Sequence, residues 1–164
     1  MKPEKLIWLG LLMLALNASA QIVTDADWQE GEIPTPPSFS PDRLMPIEMP
    51  KYLSVRLGVD PKTFTVTPDG IVRYVMVATN ATGSISAMYE GIRCASGEVK
   101  TYAQHTSSGQ WTPVVAPKWR RLNDNLPSKH ALALARQGVC DGRTPTGNSA
   151  ADIVNALKYP KPDQ

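Results

Sequence analysis

The residues best suited to chemistry lie in one run, Tyr89-Glu90-Gly91-Ile92-Arg93-Cys94. On a strand, side chains alternate, so Met88, Glu90, Ile92 and Cys94 share one face and Tyr89, Gly91 and Arg93 share the other. If Cys94 faces the core, Glu90 is carried in beside Met88 and Ile92. A carboxylate placed there needs a cation or takes up a proton. Arg73 on the preceding strand is the natural partner, with Arg56 or Arg120 behind it. In one reading Glu90 is half of a structural ion pair, or bonds backbone and fixes strand register. In the other it is an acid in a pocket. The structural reading is favoured, because structural pairs perturb carboxylates as readily as active sites do. Gly91 in mid-strand points to a bulge or to the close approach of another segment.

Other sources of chemistry are sparse. His105, beside Thr106 and Ser107, and His130, near a helix start, read as ordinary surface histidines. Two histidines without clustered carboxylates make a poor metal site, so neither a metal nor a cofactor is expected. The chain lacks a Gly-x-Ser-x-Gly elbow, a His-Glu-x-x-His pair, a phosphate-cradling loop and a dinucleotide fingerprint. Trp111, Trp119, Tyr74, Tyr89 and Tyr102 could line a sugar- or peptide-binding face, although Trp119 and Tyr74 fit a core role better. Arg120-Arg121 beside Trp119 makes a small anion-attracting patch. The candidate binding residues are therefore Glu90, Arg93, Arg73, Tyr89 and Trp111, with no catalytic residue assigned.

The start of the chain says where these residues would work. Lys2 and Lys5 precede an apolar stretch from Leu6 to Leu16, and Ala18-Ser19-Ala20 has the small-x-small pattern of a signal-peptidase site. Cleavage between Ala20 and Gln21 leaves 144 of 164 residues, the size of one domain with one substantial core. No later segment has about 18 uninterrupted apolar residues, so no integral membrane segment is expected after cleavage. The mature part holds 15 basic and 14 acidic side chains. That balance argues against nucleic acid as a partner, since phosphate binding needs a surplus of Lys and Arg. Cys94 and Cys140 make an even pair, which in an oxidising compartment reads as a disulfide. The loop of 46 residues it closes corresponds to ~4 kcal/mol of stabilisation.

The elements that must position these groups follow from breakers and periodicity. From 21 to 50, Gly31 and six prolines from Pro34 to Pro50 forbid a continuous helix or a central strand, so this is an extended arm. Trp28, Phe39, Leu44, Met45 and Ile47 are placed to pin it to the domain. A β-meander follows, beginning at Tyr52–Leu57, continuing through Phe64–Val66 and turning at Pro68-Asp69-Gly70. Ile71–Thr79 is apolar on both faces and reads as the central strand. Turns at Asn80–Gly83, Ala95–Gly97 and Ser107–Gly109 separate the strands 84–94, 98–104 and one around Trp111. Ser128 is placed to cap a helix that Gly138 stops. Ser149 and Asp152 form a capping box for a second short helix, Ala150 to Lys158. The expected fold is α+β, an antiparallel meander of five or six strands packed with one or two C-terminal helices. Its divisions are a signal peptide 1–20, the arm 21–50, a domain 51–142 and a C-terminal helix and tail 143–164.

Asp69-Gly-Ile-Val-Arg-Tyr74, Tyr89-Glu-Gly-Ile-Arg-Cys94 and Lys100-Thr-Tyr-Ala103 together resemble the CNP1-like family of exported bacterial proteins. Trp28-Gln29-Glu30, Val59-Asp60, Trp111, Trp119 and Val139-Cys140 extend the resemblance over roughly Trp28 to Cys140. The segment beyond Gly142 lies outside the recognisable pattern. The resemblance implies a periplasmic domain in Gram-negative bacteria and no particular reaction. The expectation is a periplasmic or secreted, non-catalytic domain that binds an envelope protein or a cell-wall component. One alternative is a small periplasmic enzyme using Glu90 with Arg93 or Arg73. The other is a ligand-binding module with an aromatic face.

Overall fold

The computed structural model describes residues 27–106 and 108–160. The expected leader, its expected cleavage point at Ala20 and Gln21, and the tail after Pro160 lie outside the described residues. Ten strands and two helices occur in the order β1 (Met45–Pro46), β2 (Arg56–Val59), β3 (Thr65–Val66), β4 (Ile71–Thr79), β5 (Ile85–Arg93), β6 (Glu98–His105), β7 (Trp111–Pro113), β8 (Arg120–Arg121), α1 (His130–Leu134), β9 (Cys140–Asp141), β10 (Thr144–Pro145) and α2 (Ala150–Lys158). The α+β class is as the sequence implies.

An antiparallel sheet runs β1-β2-β4-β5-β6-β7, with β3 sharing β4 and β8 sharing β6. β4 and β5 are its spine, and Ile71 through Val77 are all buried. One face of the spine carries Val72, Tyr74, Met76 and Ile92, covered by Leu134, Val139, Ile153 and Leu157 from the helical segment. The other carries Val75, Val77, Ala87 and Tyr89, covered by Phe39 and Leu44 from the arm and by Trp111. A strand covered on both faces must be apolar on both, as β4 is.

The strand expected from Tyr52 begins at Arg56. β2 pairs Arg56 with Thr79, the last residue of β4, so residues before 56 run past the end of their partner. Tyr52 is accordingly 85% exposed. Gly70 (φ 78) closes the Pro68-Asp69-Gly70 turn between β3 and β4, where an L side chain would be strained.

Cys94 and Cys140 are joined, with Cα atoms 5.7 Å apart, tying the end of β5 to the segment after α1. α1 continues into a π-helical turn, Ala135–Val139, and Gly138 lies inside that turn at φ 147 instead of simply ending the helix. A Cβ there would come within 3.0 Å of the Ala156 backbone, so the glycine lets α2 lie against the turn. α2 has the expected capping box, Ser149 with Asp152. Ser128 accepts from the His130 backbone N–H, although Lys129 occupies the cap position.

The arm is docked at both ends. Its first part places Trp28 Nε1 on the Asp69 carbonyl at 2.8 Å. Its last part forks Arg43 onto the fully buried Asp60, with both contacts at 2.7 Å, and adds Met45–Pro46 as an edge strand. An edge is where a strand proline is tolerated.

Candidate functional site

β5 delivers Glu90 to the helical face, beside Met88 and Ile92, as the alternation requires. Arg73 is not its partner. In the β4–β5 register Arg73 lies opposite Gly91 and Tyr74 opposite Glu90, which puts Arg73 and Arg93 on the arm face. Glu90 instead accepts from three donors. The Tyr74 hydroxyl donates at 3.0 Å and the Thr101 hydroxyl at 3.0 Å, and His130 Nε2 lies 2.7 Å away. The cation expected to be an arginine is a histidine.

His130 is only 6% exposed, so it is no surface histidine. It shares the buried stripe of its helical segment with Ala131, Leu134 and Ala135. Burial, the largest single influence on its ring, opposes the charge, but the Glu90 carboxylate outweighs it and raises the imidazole pKa above 6.5. Its Nδ1 lies 2.9 Å from Ser128 Oγ. Ser128, His130 and Glu90 thus form one hydrogen-bonded line. Burial, followed by the Glu90 charge, pushes the Tyr74 phenol well above its usual value and keeps it a proton donor.

This line borders a cleft of about 590 Å³ between the β5–β6 surface, the start of α1 and the loop after β7. Met88, Val99, Val114, Pro117 and Leu126 supply apolar wall, and Thr101 and Gln104 add polar groups. Lys118 and Arg120, both exposed, stand at its rim. Ala116 in the same wall has φ 48, a left-handed conformation that costs a non-glycine residue about 1–2 kcal/mol.

Arg73 and Arg93 serve a different cluster, built on the arm. Arg73 is fully buried, bonds Thr67, and reaches Asp69 at 3.3 Å and Glu30 at 3.4 Å. Glu30 also accepts from Lys100 Nζ at 2.6 Å, Tyr102 at 2.7 Å and Trp119 Nε1 at 3.3 Å. Burial alone would raise the Glu30 pKa, but the Lys100 and Tyr102 donors and the two cations bring it below 4.5. Arg93 stacks 3.6 Å above the Trp28 ring, which meets Trp119 edge-on at 5.9 Å. Glu30 is visible in the sequence only within the Trp28-Gln29-Glu30 motif and not as a site residue, because its partners lie 43 to 89 residues away. His130 left a signal, the i, i+1, i+4, i+5 burial of its segment.

Tyr89 and Trp111 lie on the same face of the sheet but do not form one open binding face. Tyr89 is buried beside Tyr102 at 5.5 Å, whereas Trp111 meets Phe39 and His105 edge-on at 5.9 and 5.2 Å over a separate groove. His105 is half-buried there, not a free surface group. Among the described residues, no group of three or more His, Cys, Asp and Glu could hold a metal ion, and no helix is long and apolar enough to cross a membrane.

A family model described as the CNP1-like family matches residues 23–158. The match extends past Gly142 and takes in α2, so the C-terminal helix is part of the family pattern and not an addition to it. No curated protein and no solved structure matches the chain.

Proposed function

The chain belongs to the CNP1-like family, and from that premise we propose that it is an exported periplasmic binding domain whose site is the cleft over Glu90 and His130. One observation carries the binding reading: the floor of the cleft is saturated while its rim is not. Glu90 already accepts from Tyr74, Thr101 and His130, so it holds the floor in shape and offers little to a ligand. Gln104, Ser128, Lys118 and Arg120 are left to meet one. The volume falls in the range of small-molecule sites. Export rests on the basic, apolar and small-residue order of positions 1–20.

The mature domain, incubated with an envelope extract and re-isolated, is expected to carry a small molecule by native mass spectrometry. Val114→Trp, which fills the cleft, should lose it, and equal loading of both proteins would overturn the site. Periplasmic material should begin at Gln21, whereas intact precursor confined to the cytoplasm would overturn export.

A second reading, a hydrolytic enzyme, draws on the Ser128–His130–Glu90 line. There a neutral His130 would take the Ser128 Oγ proton at Nδ1 as Oγ attacks the acyl carbon of an ester. It would return that proton to the alcohol as the acyl–alkoxy bond breaks, and then activate the water that frees the acyl group from Ser128. Glu90 would orient the ring, in place of the acid role expected for it. Labelling of Ser128 by a fluorophosphonate would establish this reading, and an unlabelled folded domain would dismiss it.

A further inference from the structure

We propose that the ligand is an amphipathic anion, an apolar chain or ring body ending in one carboxylate or phosphate; this rests on the cleft being the binding site. Glu90 is the one carboxylate in the lining, and His130 pairs with it. The remaining charge there is Lys118 and Arg120, so the rim is cationic while the wall is apolar. Lys118 has no partner among the described residues, and Arg120 meets Asp124 only at 4.0 Å with both side chains exposed. An exposed pair that long does little to occupy the guanidinium.

Ser128 completes the anion end. Its oxygen accepts from the His130 backbone N–H at 3.3 Å and faces Nδ1 at 2.9 Å. A protonated imidazole donates from both nitrogens, Nε2 to Glu90 and Nδ1 to Ser128. The hydroxyl proton of Ser128 must then turn away from the ring, toward the cleft it borders. Glu90 is the charged group that faces the ring, Tyr74 and Thr101 donate to its carboxylate, and its charge favours the protonated ring. A hydroxyl donor and two cations at the rim complement a single anionic head. The apolar wall complements its tail.

The test titrates octanoate, octyl glucoside and octyltrimethylammonium, each below its micelle concentration, into the ¹⁵N-labelled mature domain with its disulfide intact. Octanoate should shift the amides of Thr101, Lys118 and Ser128 and bind at least about tenfold more tightly than the ammonium compound. The double variant Lys118→Ala/Arg120→Ala alters exposed side chains only. It should abolish that preference. Equal binding of the cation or the neutral compound would overturn the anionic class and leave the cleft as the site. No shift around the cleft with any of the three would overturn both.

Discussion

The Glu90–His130 pair is the most consequential contact at the scale of single residues. Both side chains are almost wholly buried, and removing one member of such a pair strands the other. His130→Gln is expected to cost about 3–5 kcal/mol in urea unfolding at pH 6. The pair also sets a pH dependence. A folded pKa raised above 6.5 gives stability that is fully present below pH 6.5 and fades as pH rises through the folded value. Glu30, Asp60 and Asp69 act oppositely, because their folded pKa values are lowered. Their contribution is present above their usual values of 4.5 and 3.8 and is lost as pH falls below them. Stability should therefore peak between about pH 4.5 and 6.5. Urea midpoints across pH 3–9 check this, and His130→Gln should flatten the alkaline limb alone. The inward placement of Glu90 was legible from strand alternation. Its partner was not, because the β4–β5 register turns Arg73 to the other face and His130 arrives on α1, 40 residues away.

At the scale of elements, β5 and β6 meet at an irregularity. Tyr89 pairs with Ala103 and Glu90 with Thr101, so Tyr102 is the extra residue of a bulge. The bulge sends Tyr102 to the arm face, where its hydroxyl reaches Glu30. Gly91 makes room for it, since a Cβ there would lie 2.8 Å from the Tyr102 hydroxyl and 2.7 Å from Ile71 Cγ2. The glycine had suggested either a bulge or a close approach, and both occur. Gly91→Ala should cost about 1–3 kcal/mol by overpacking. It should also loosen the arm, read as faster proteolysis between residues 31 and 37. Glu30→Ala should give the same cleavage with a loss of about 1.5–3 kcal/mol, because charged hydrogen bonds are lost while the sheet is untouched. Unchanged proteolysis in both variants would mean the arm is held elsewhere. The meander and the capping box were readable because turns and caps are local chemistry. The short strands β1 and β8 depend on distant partners, and two residues leave no period to read.

At the scale of the whole molecule, two layers of different kind close the sheet, helices on one face and an extended arm on the other. The disulfide belongs to the helical side, where it ties β5 to the end of the π turn. Reduction is expected to lower stability by about 2–5 kcal/mol and to weaken the cleft, since His130 at the start of α1 and Ser128 two residues before it lie ahead of that tie. Thermal unfolding with and without reductant measures the first effect, and octanoate affinity measures the second. The arm has a different history. A chain is synthesised from its amino end, yet the sockets for Trp28 and Glu30 include Asp69, Lys100, Tyr102 and Trp119. The earliest described segment must therefore wait, unsheltered, until some ninety further residues have emerged. Its prolines keep it from pairing wrongly in the interval.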